Sequence, residues 1–226
     1  MNATRVIPVD RDIQAERKQQ AAELRNQMAA RGTLVVNLVS SPGAGKTSLL
    51  EATARQFKGQ RRMAVLVGDI ATDRDANRLA PFVPVRQLTT GGACHLELEL
   101  VKRGLASLPD EDYDFLFIEN IGNLVCPASH DLAEHLRVVL VSTTEGDDKP
   151  GKYPKMFRTS NAMIVTKMDL LPHVPFSVDA VLEDASRVRG DLKMLQLCAL
   201  TGDGIAEWCE YLEQQRQERL IGLSCS

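Results

Sequence analysis

The 226 residues are enough for one large domain with a real core, and a composition of 44% hydrophobic and 25% charged residues is that of an ordinary globular protein. A net charge of only −3 and an aromatic content of 4% give neither the basic field nor the stacking surface of a nucleic-acid binder. No apolar run approaches the roughly 20 residues of a membrane span. The opening MNATRVIPVDRDIQAERKQQ has no signal-peptide core. A cytoplasmic location is expected, with no nucleic-acid or membrane partner. The five cysteines, Cys94, Cys126, Cys198, Cys209 and Cys225, are an odd number and do not read as a disulfide framework.

In chain order, residues 1–32 form a helical extension. Its helix, Asp10–Arg31, is rich in Gln, Ala, Arg and Glu and has a thin apolar face, as expected of a helix packed on a domain edge; a partner-binding arm is the alternative. Residues 33–226 form the main domain. Short β-branched runs predict strands at Thr33–Ser40, Met63–Asp69, Val83–Thr89, Tyr113–Asn120, Leu136–Thr143, Ala162–Lys167 and Lys193–Leu200. Amphipathic helices are predicted over Lys46–Lys58, His95–Ala106, Val178–Arg189 and Ile205–Arg219, and the tail Gly222–Ser226 is expected to fray. Nearly continuous apolar strands alternating with helices predict a doubly wound α/β fold. That fold is a mostly parallel sheet of about seven strands with helices on both faces.

After the first strand comes Ser40-Ser41-Pro42-Gly43-Ala44-Gly45-Lys46-Thr47-Ser48, which opens a helix. It fits the phosphate-loop pattern G-x-x-x-x-G-K-[ST] except that Ser40 replaces the first Gly. That replacement is workable if the backbone stays extended there. The small residues Gly43, Ala44 and Gly45 let backbone N–H groups of the loop, through Ser48, converge on phosphates at a helix N-terminus. Lys46 is placed to reach the β- and γ-phosphates, and the Thr47 hydroxyl to ligate Mg²⁺. Thr166-Lys167-Met168-Asp169 resembles a guanine-specificity motif, about 120 residues further on. Asp169 can accept two hydrogen bonds from guanine, for which adenine has no matching donors. The Lys167 stem can lie over the base. Thr166 stands where Asn is commoner, and is expected to loosen the tie between base loop and phosphate loop. Ala199, in Ala199-Leu200-Thr201-Gly202, offers backbone to the guanine oxygen.

Two strands end in acids, Asp69 and Glu119, the latter in the place of the usual Walker-B Asp. Both are candidate Mg²⁺ and catalytic groups, because ligands of such sheets bind at this edge. Asp73 and Asp75 follow Asp69 in a stretch expected to be a mobile loop. Cys94, His95 and Cys126 also follow predicted strands and could form a soft N/S metal site, which three ligands leave incomplete unless water or a second copy contributes. Two thiolates and an imidazole suit Zn²⁺ and Ni²⁺ alike. Cys198 is expected inside the last strand as core, and His130, His135 and His173 as surface or packing histidines.

The segments SSPGAGKTSLL, VGDIATDRDANRL, TTGGACHLELELV, FLFIENIGNLVCPASHDLAEH, TEGDDKPGKYPKMF and TKMDLL together resemble the HypB family of nickel-incorporation GTPases. The resemblance covers about Thr33 to Gly204, and the adjacent Cys94-His95 sets it apart from the related UreG family. It implies a slow GTPase that binds GTP/GDP with Mg²⁺ and carries Ni²⁺ or Zn²⁺ on Cys94, His95 and Cys126. It also implies a homodimer, with Lys152 and Lys155 reaching the nucleotide across the interface. HypA and a nickel carrier such as SlyD would be partners, and the [NiFe]-hydrogenase large subunit the client. The Cys-rich or His-rich N-terminal tracts of many members have no counterpart in these residues, whose first Cys is Cys94 and first His is His95. A urease-directed accessory role, and an ATPase or kinase with a structural Cys/His cluster, are the alternatives.

Overall fold

The computed structural model describes residues 9–69 and 72–221, without the side chains of residues 9–13 and 221, so the frayed tail and Cys225 lie outside it. Seven strands form one wholly parallel sheet: β1 (Leu34–Ser40), β2 (Met63–Asp69), β3 (Val85–Thr89), β4 (Phe115–Glu119), β5 (Leu136–Ser142), β6 (Ala162–Thr166) and β7 (Lys193–Gln196). Their order is β3-β2-β4-β1-β5-β6-β7. Sequence pattern and position agree. LVVNLVS, FLFIE, LRVVLVS and AMIVT are buried along their whole length because helices cover both faces, whereas the edge strands VRQLT and KMLQ mix exposed and buried residues.

The side-chain period of two divides each strand between the two faces. On one face Leu34, Val36 and Leu38 meet Leu49 and Leu50 of α2 (Lys46–Phe57) and Trp208 and Leu212 of α8 (Ile205–Ile221). The indole Nε1–H of Trp208 donates to Thr53 Oγ1 at 3.0 Å, so the buried ring brings no unpaired donor with it. On the other face Val35, Ala64, Leu66 and Leu116 pack with Met28 of α1 (Val9–Ala30) and Val101 of α4 (Leu98–Ser107). The N-terminal helix is thus laid against the domain, as its thin apolar face suggested. Under β5 and β6, Val139, Val141, Met163 and Val165 pack with Phe157 of α6 (Pro154–Thr159) and Val181 of α7 (Val178–Val188).

Two expectations change. Asp75 does not belong to a loop: Arg74–Leu79 forms the short helix α3, with Asp75 in its first turn and Asp73 just before its first residue. Ala76 and Leu79, three apart, bury one face of it, a signal too brief for a periodicity reading. The last strand stops at Gln196, before Cys198. There the chain turns so that Cys198 N–H donates to Asp203 O and Gly202 N–H to Cys198 O. One further short helix, α5 (Lys149–Lys152), follows β5. No described helix is long and apolar enough to cross a membrane.

Candidate functional site

Because every strand is parallel, Ser40, Asp69, Thr89, Glu119, Ser142 and Thr166 all end on one edge, where the strand order reverses around β1. The phosphate loop leaves β1 at this edge. Ser40 remains in the strand and is fully buried, so the missing first glycine costs no strain. Gly45 has φ +94°, a conformation that only glycine adopts cheaply, and it turns the chain into α2. Lys46 lies almost fully buried with Nζ donating to Ser40 Oγ at 3.0 Å. Burial lowers its pKa, while Glu119, Asp75, Glu145 and Asp69 act against that shift. Four carboxylates thus add negative charge around the ammonium. Glu145 was not singled out from the sequence; its only signal is its place just after β5.

Thr47 Oγ1 donates to Glu119 Oε1 at 2.8 Å. Glu119 is 3% exposed, and its other oxygen is buried without a partner. Burial pushes its pKa up to about 7, against the pull of Lys46. A hydroxyl and an orphaned carboxylate oxygen beside a buried lysine fit a hydrated Mg²⁺ joined to phosphates. Asp69 accepts the Thr72 hydroxyl at 2.5 Å at the end of the neighbouring strand. Lys149 of α5 reaches Ser41 Oγ of the phosphate loop at 3.4 Å and pairs with Glu145 at 3.1 Å.

Thr166, Lys167 and Asp169, expected to form the base loop, lie at or just after the end of β6 on the same edge. Thr166 does not loosen the tie to the phosphate loop: its hydroxyl donates to Ala44 O at 2.7 Å, within reach because β6 ends level with the loop. Lys167 takes a left-handed conformation, φ +58°, which turns the following residues outward. Asp169 is exposed, and its Oδ1 accepts the Cys198 S–H at 3.0 Å. Cys198 is therefore buried, as expected, but holds the carboxylate of the base loop rather than the sheet. Leu200, next to Ala199, is 87% exposed at the rim.

Cys94, His95 and Cys126 come together with their ligand atoms within 4.8 Å of one another. Cys94 lies in the loop after β3 and Cys126 in the loop after β4, and Asn123 joins the two loops. Its amide donates to Cys94 O at 3.2 Å while its oxygen accepts Val125 N–H at 2.8 Å. Cys94 Sγ–H donates to Cys126 Sγ at 2.9 Å, and this bond raises the Cys94 thiol pKa. The His95 pKa is lowered by burial and by His130. His130 is not an ordinary surface histidine. Its ring stacks on His95 with centroids 3.9 Å apart, and its Nδ1–H donates to Cys126 O at 2.9 Å. His135 does pack, buried between α1 and β1, and His173 is exposed. Lys155 Nζ donates to Ser129 Oγ beside the cysteine loop, and Lys152 pairs with Asp148 at the surface.

The two half-sites touch through Gly122. A Cβ there would lie 2.8 Å from the backbone of Pro42, so the chain between Glu119 and Cys126 runs directly against the phosphate loop.

This fold and edge define a nucleotide-binding domain of the P-loop class with a thiol–imidazole cluster at its rim. Residues 34–196 match the model of the CobW/HypB/UreG nucleotide-binding domain. The chain is 45% identical over 221 residues to the hydrogenase maturation factor HypB of Azotobacter vinelandii, covering 97% of this chain and 73% of that protein. It is 42% identical over 217 residues to the hydrogenase/urease maturation factor HypB of Helicobacter hepaticus, covering 94% and 89%. The crystal structure of Helicobacter pylori HypB in complex with nickel superposes with a TM-score of 0.85 at 36% identity, over 90% of this chain and 96% of that one. The chain belongs to the CobW/HypB/UreG family, within its HypB branch.

Proposed function

We infer that this protein is a GTP-hydrolysing nickel chaperone of [NiFe]-hydrogenase maturation. The observation that carries the reading is the Cys94–His95–Cys126 cluster on the same sheet edge as the phosphate loop, with Cys126 seven residues after Glu119. The names of the relatives, a nickel-bound HypB among them, support the cargo and the client.

GTP lies with its phosphates over Gly43–Ser48 and its base against Lys167, Asp169 and the backbone at Ala199. Asp169, held by Cys198, accepts the two guanine donors. Lys46 would neutralise the β- and γ-phosphates, and Thr47 and Glu119, with Asp69, would hold Mg²⁺, which would supply further neutralisation of phosphate charge. Glu119, at the end of β4 beside the phosphate loop, would also orient a water towards the γ-phosphate.

Nickel is held as cargo by two thiolates and an imidazole, and the same donors accept Zn²⁺. Binding releases the shared thiol protons, so it weakens on acidification. The three ligands stand beside Val125, which is 62% exposed, and a second copy across a two-fold axis would cover it and complete the coordination. Movement of Glu119 on γ-phosphate loss reaches Cys126 through the Gly122 contact, coupling nucleotide state to metal affinity. A HypA-type chaperone and the hydrogenase large subunit exchange metal with this rim in the cytoplasm.

The test is phosphate release from GTP against ATP, together with nickel incorporation into a hydrogenase large-subunit precursor. Lys46→Ala should stop turnover, and Cys94→Ala and Cys126→Ala should stop nickel transfer. ATP hydrolysis matching GTP, or full transfer by the cysteine variants, would sink the reading.

A further inference from the structure

The segment that carries Cys126 is irregular, a single 3-10 turn (Cys126–Ser129) followed by bent chain outside any strand, up to β5. Regular backbone pairing therefore does not fix its geometry. One buried side chain anchors it from beneath. Arg137, on the second residue of β5 and 7% exposed, sends its guanidinium back under the segment. Nη2 donates to His130 O at 2.6 Å, Nη1 to Ala128 O at 3.5 Å and to Thr159 Oγ1 of α6 at 3.1 Å, and Nε to Glu134 Oε1 at 2.8 Å. Glu134 is equally committed: Oε1 also accepts Asn37 Nδ2 at 3.3 Å and Oε2 accepts Leu132 N–H at 2.7 Å.

The segment pays for this shape with Ala133 at φ +65°, a left-handed conformation unfavourable for a residue with a Cβ. Such a residue persists only where its surroundings over-determine it. Arg25 of α1 grips the same stretch, through Glu134 O at 2.8 Å and through Asp131, whose carboxylate accepts Ala133 N–H at 2.9 Å.

The consequence is felt at the cluster. The clamped residue is His130, whose ring stacks on His95 and whose Nδ1–H donates to Cys126 O. His130 is not itself a ligand in this arrangement, because the three atoms that converge are those of Cys94, His95 and Cys126. It braces two of those three at once, one by ring contact and one by hydrogen bond.

We propose that His130, held in place by the Arg137–Glu134 pair, is a positioning residue for the metal cluster, fixing the imidazole of His95 and the backbone of Cys126 for a divalent cation. The inference rests on the metal-carrying reading given above. Outer partners of this kind set ligand orientation, and their loss typically lowers metal affinity about 10- to 100-fold.

The experiment is a titration of the protein with Ni²⁺, read by calorimetry and by the thiolate-to-metal charge-transfer absorption. Wild type is compared with His130→Ala, His130→Gln, Arg137→Lys and the ligand control Cys94→Ala. Thermal midpoint and GDP affinity are recorded for each. His130→Ala should weaken Ni²⁺ by about tenfold or more and shift the absorption, with GDP affinity within about twofold of wild type. His130→Gln, which keeps a donor for Cys126 O, should recover part of the loss. Arg137→Lys should move metal affinity in the same direction; if it fails to fold, the half-exposed His130 variants carry the test alone. Unchanged Ni²⁺ affinity and spectrum in His130→Ala, with Cys94→Ala abolishing binding, would overturn the positioning role and leave the metal site standing. Undiminished binding by Cys94→Ala would overturn the metal reading itself.

Discussion

Between pH 7 and pH 5 two buried groups pull the stability of the ligand-free protein in opposite directions. His135 accepts Val35 N–H at Nδ1 (2.9 Å) and donates through Nε2 to Arg25 O (3.1 Å), so both ring nitrogens are committed in the neutral form. Burial pushes its pKa from 6.5 to about 4. As pH falls below 6.5 the unfolded chain takes up this proton and the native state does not, so stability is lost towards pH 4. Glu119 behaves in the reverse sense. Burial raises its pKa from 4.5 to about 7, so the native state keeps a proton that the unfolded chain loses. Its contribution is complete below pH 4.5 and is lost as pH rises through 7. Over the interval from pH 7 to pH 5 each shift is worth roughly 2 kcal/mol, with opposite signs, and in wild type they largely cancel.

Single variants uncover the two slopes. Glu119→Gln, relative to wild type, should lose about 2 kcal/mol on going from pH 7 to pH 5, because only the histidine penalty remains. His135→Gln, whose amide can keep both hydrogen bonds, should gain about as much. Urea unfolding followed by the fluorescence of Trp208, the single tryptophan and a buried one, reads both. If either variant kept the wild-type pH slope, the burial ascribed to that group would be wrong.

Other outcomes follow from the site. Asp169→Asn removes the acceptor for the two guanine donors and should weaken GDP by at least about 100-fold while admitting xanthine nucleotides, as competition binding would reveal. Gly122→Ala forces a Cβ to within 2.8 Å of the Pro42 backbone. The overpacking should cost about 1–3 kcal/mol in denaturant unfolding and lower nucleotide affinity, since the phosphate loop must give way. Lys46→Ala should leave a folded protein without measurable GTP turnover in a phosphate-release assay, because nothing else described occupies its place under the phosphates.

The parallel sheet was legible because its inner strands are buried on both faces and so read as unbroken apolar runs; Met63–Asp69 has the same ends in sequence pattern and structure. The phosphate loop was legible because backbone convergence demands small residues at fixed spacing. Less could be read where function depends on a contact between distant residues. Thr166 looked like a weak substitute for Asn until its hydroxyl was found on Ala44 O. Cys198 is buried as its apolar run indicates, but nothing in its neighbourhood announces that the loop after β7 folds back on Asp169. His130 and Arg137 carry no local pattern at all; their roles arise from β5 lying beneath the cysteine loop. Helix α3 was missed because one turn of burial is shorter than the period that would disclose it.

The most direct test of the central claim is Ni²⁺ affinity measured by calorimetry on the GDP form and on the form loaded with a non-hydrolysable GTP analogue, with Cys94→Ala and Cys126→Ala alongside. A nucleotide-switched chaperone predicts affinities that differ between the two nucleotide states and metal binding lost in both variants. Equal affinities in the two states, or variants that bind as wild type does, would contradict it.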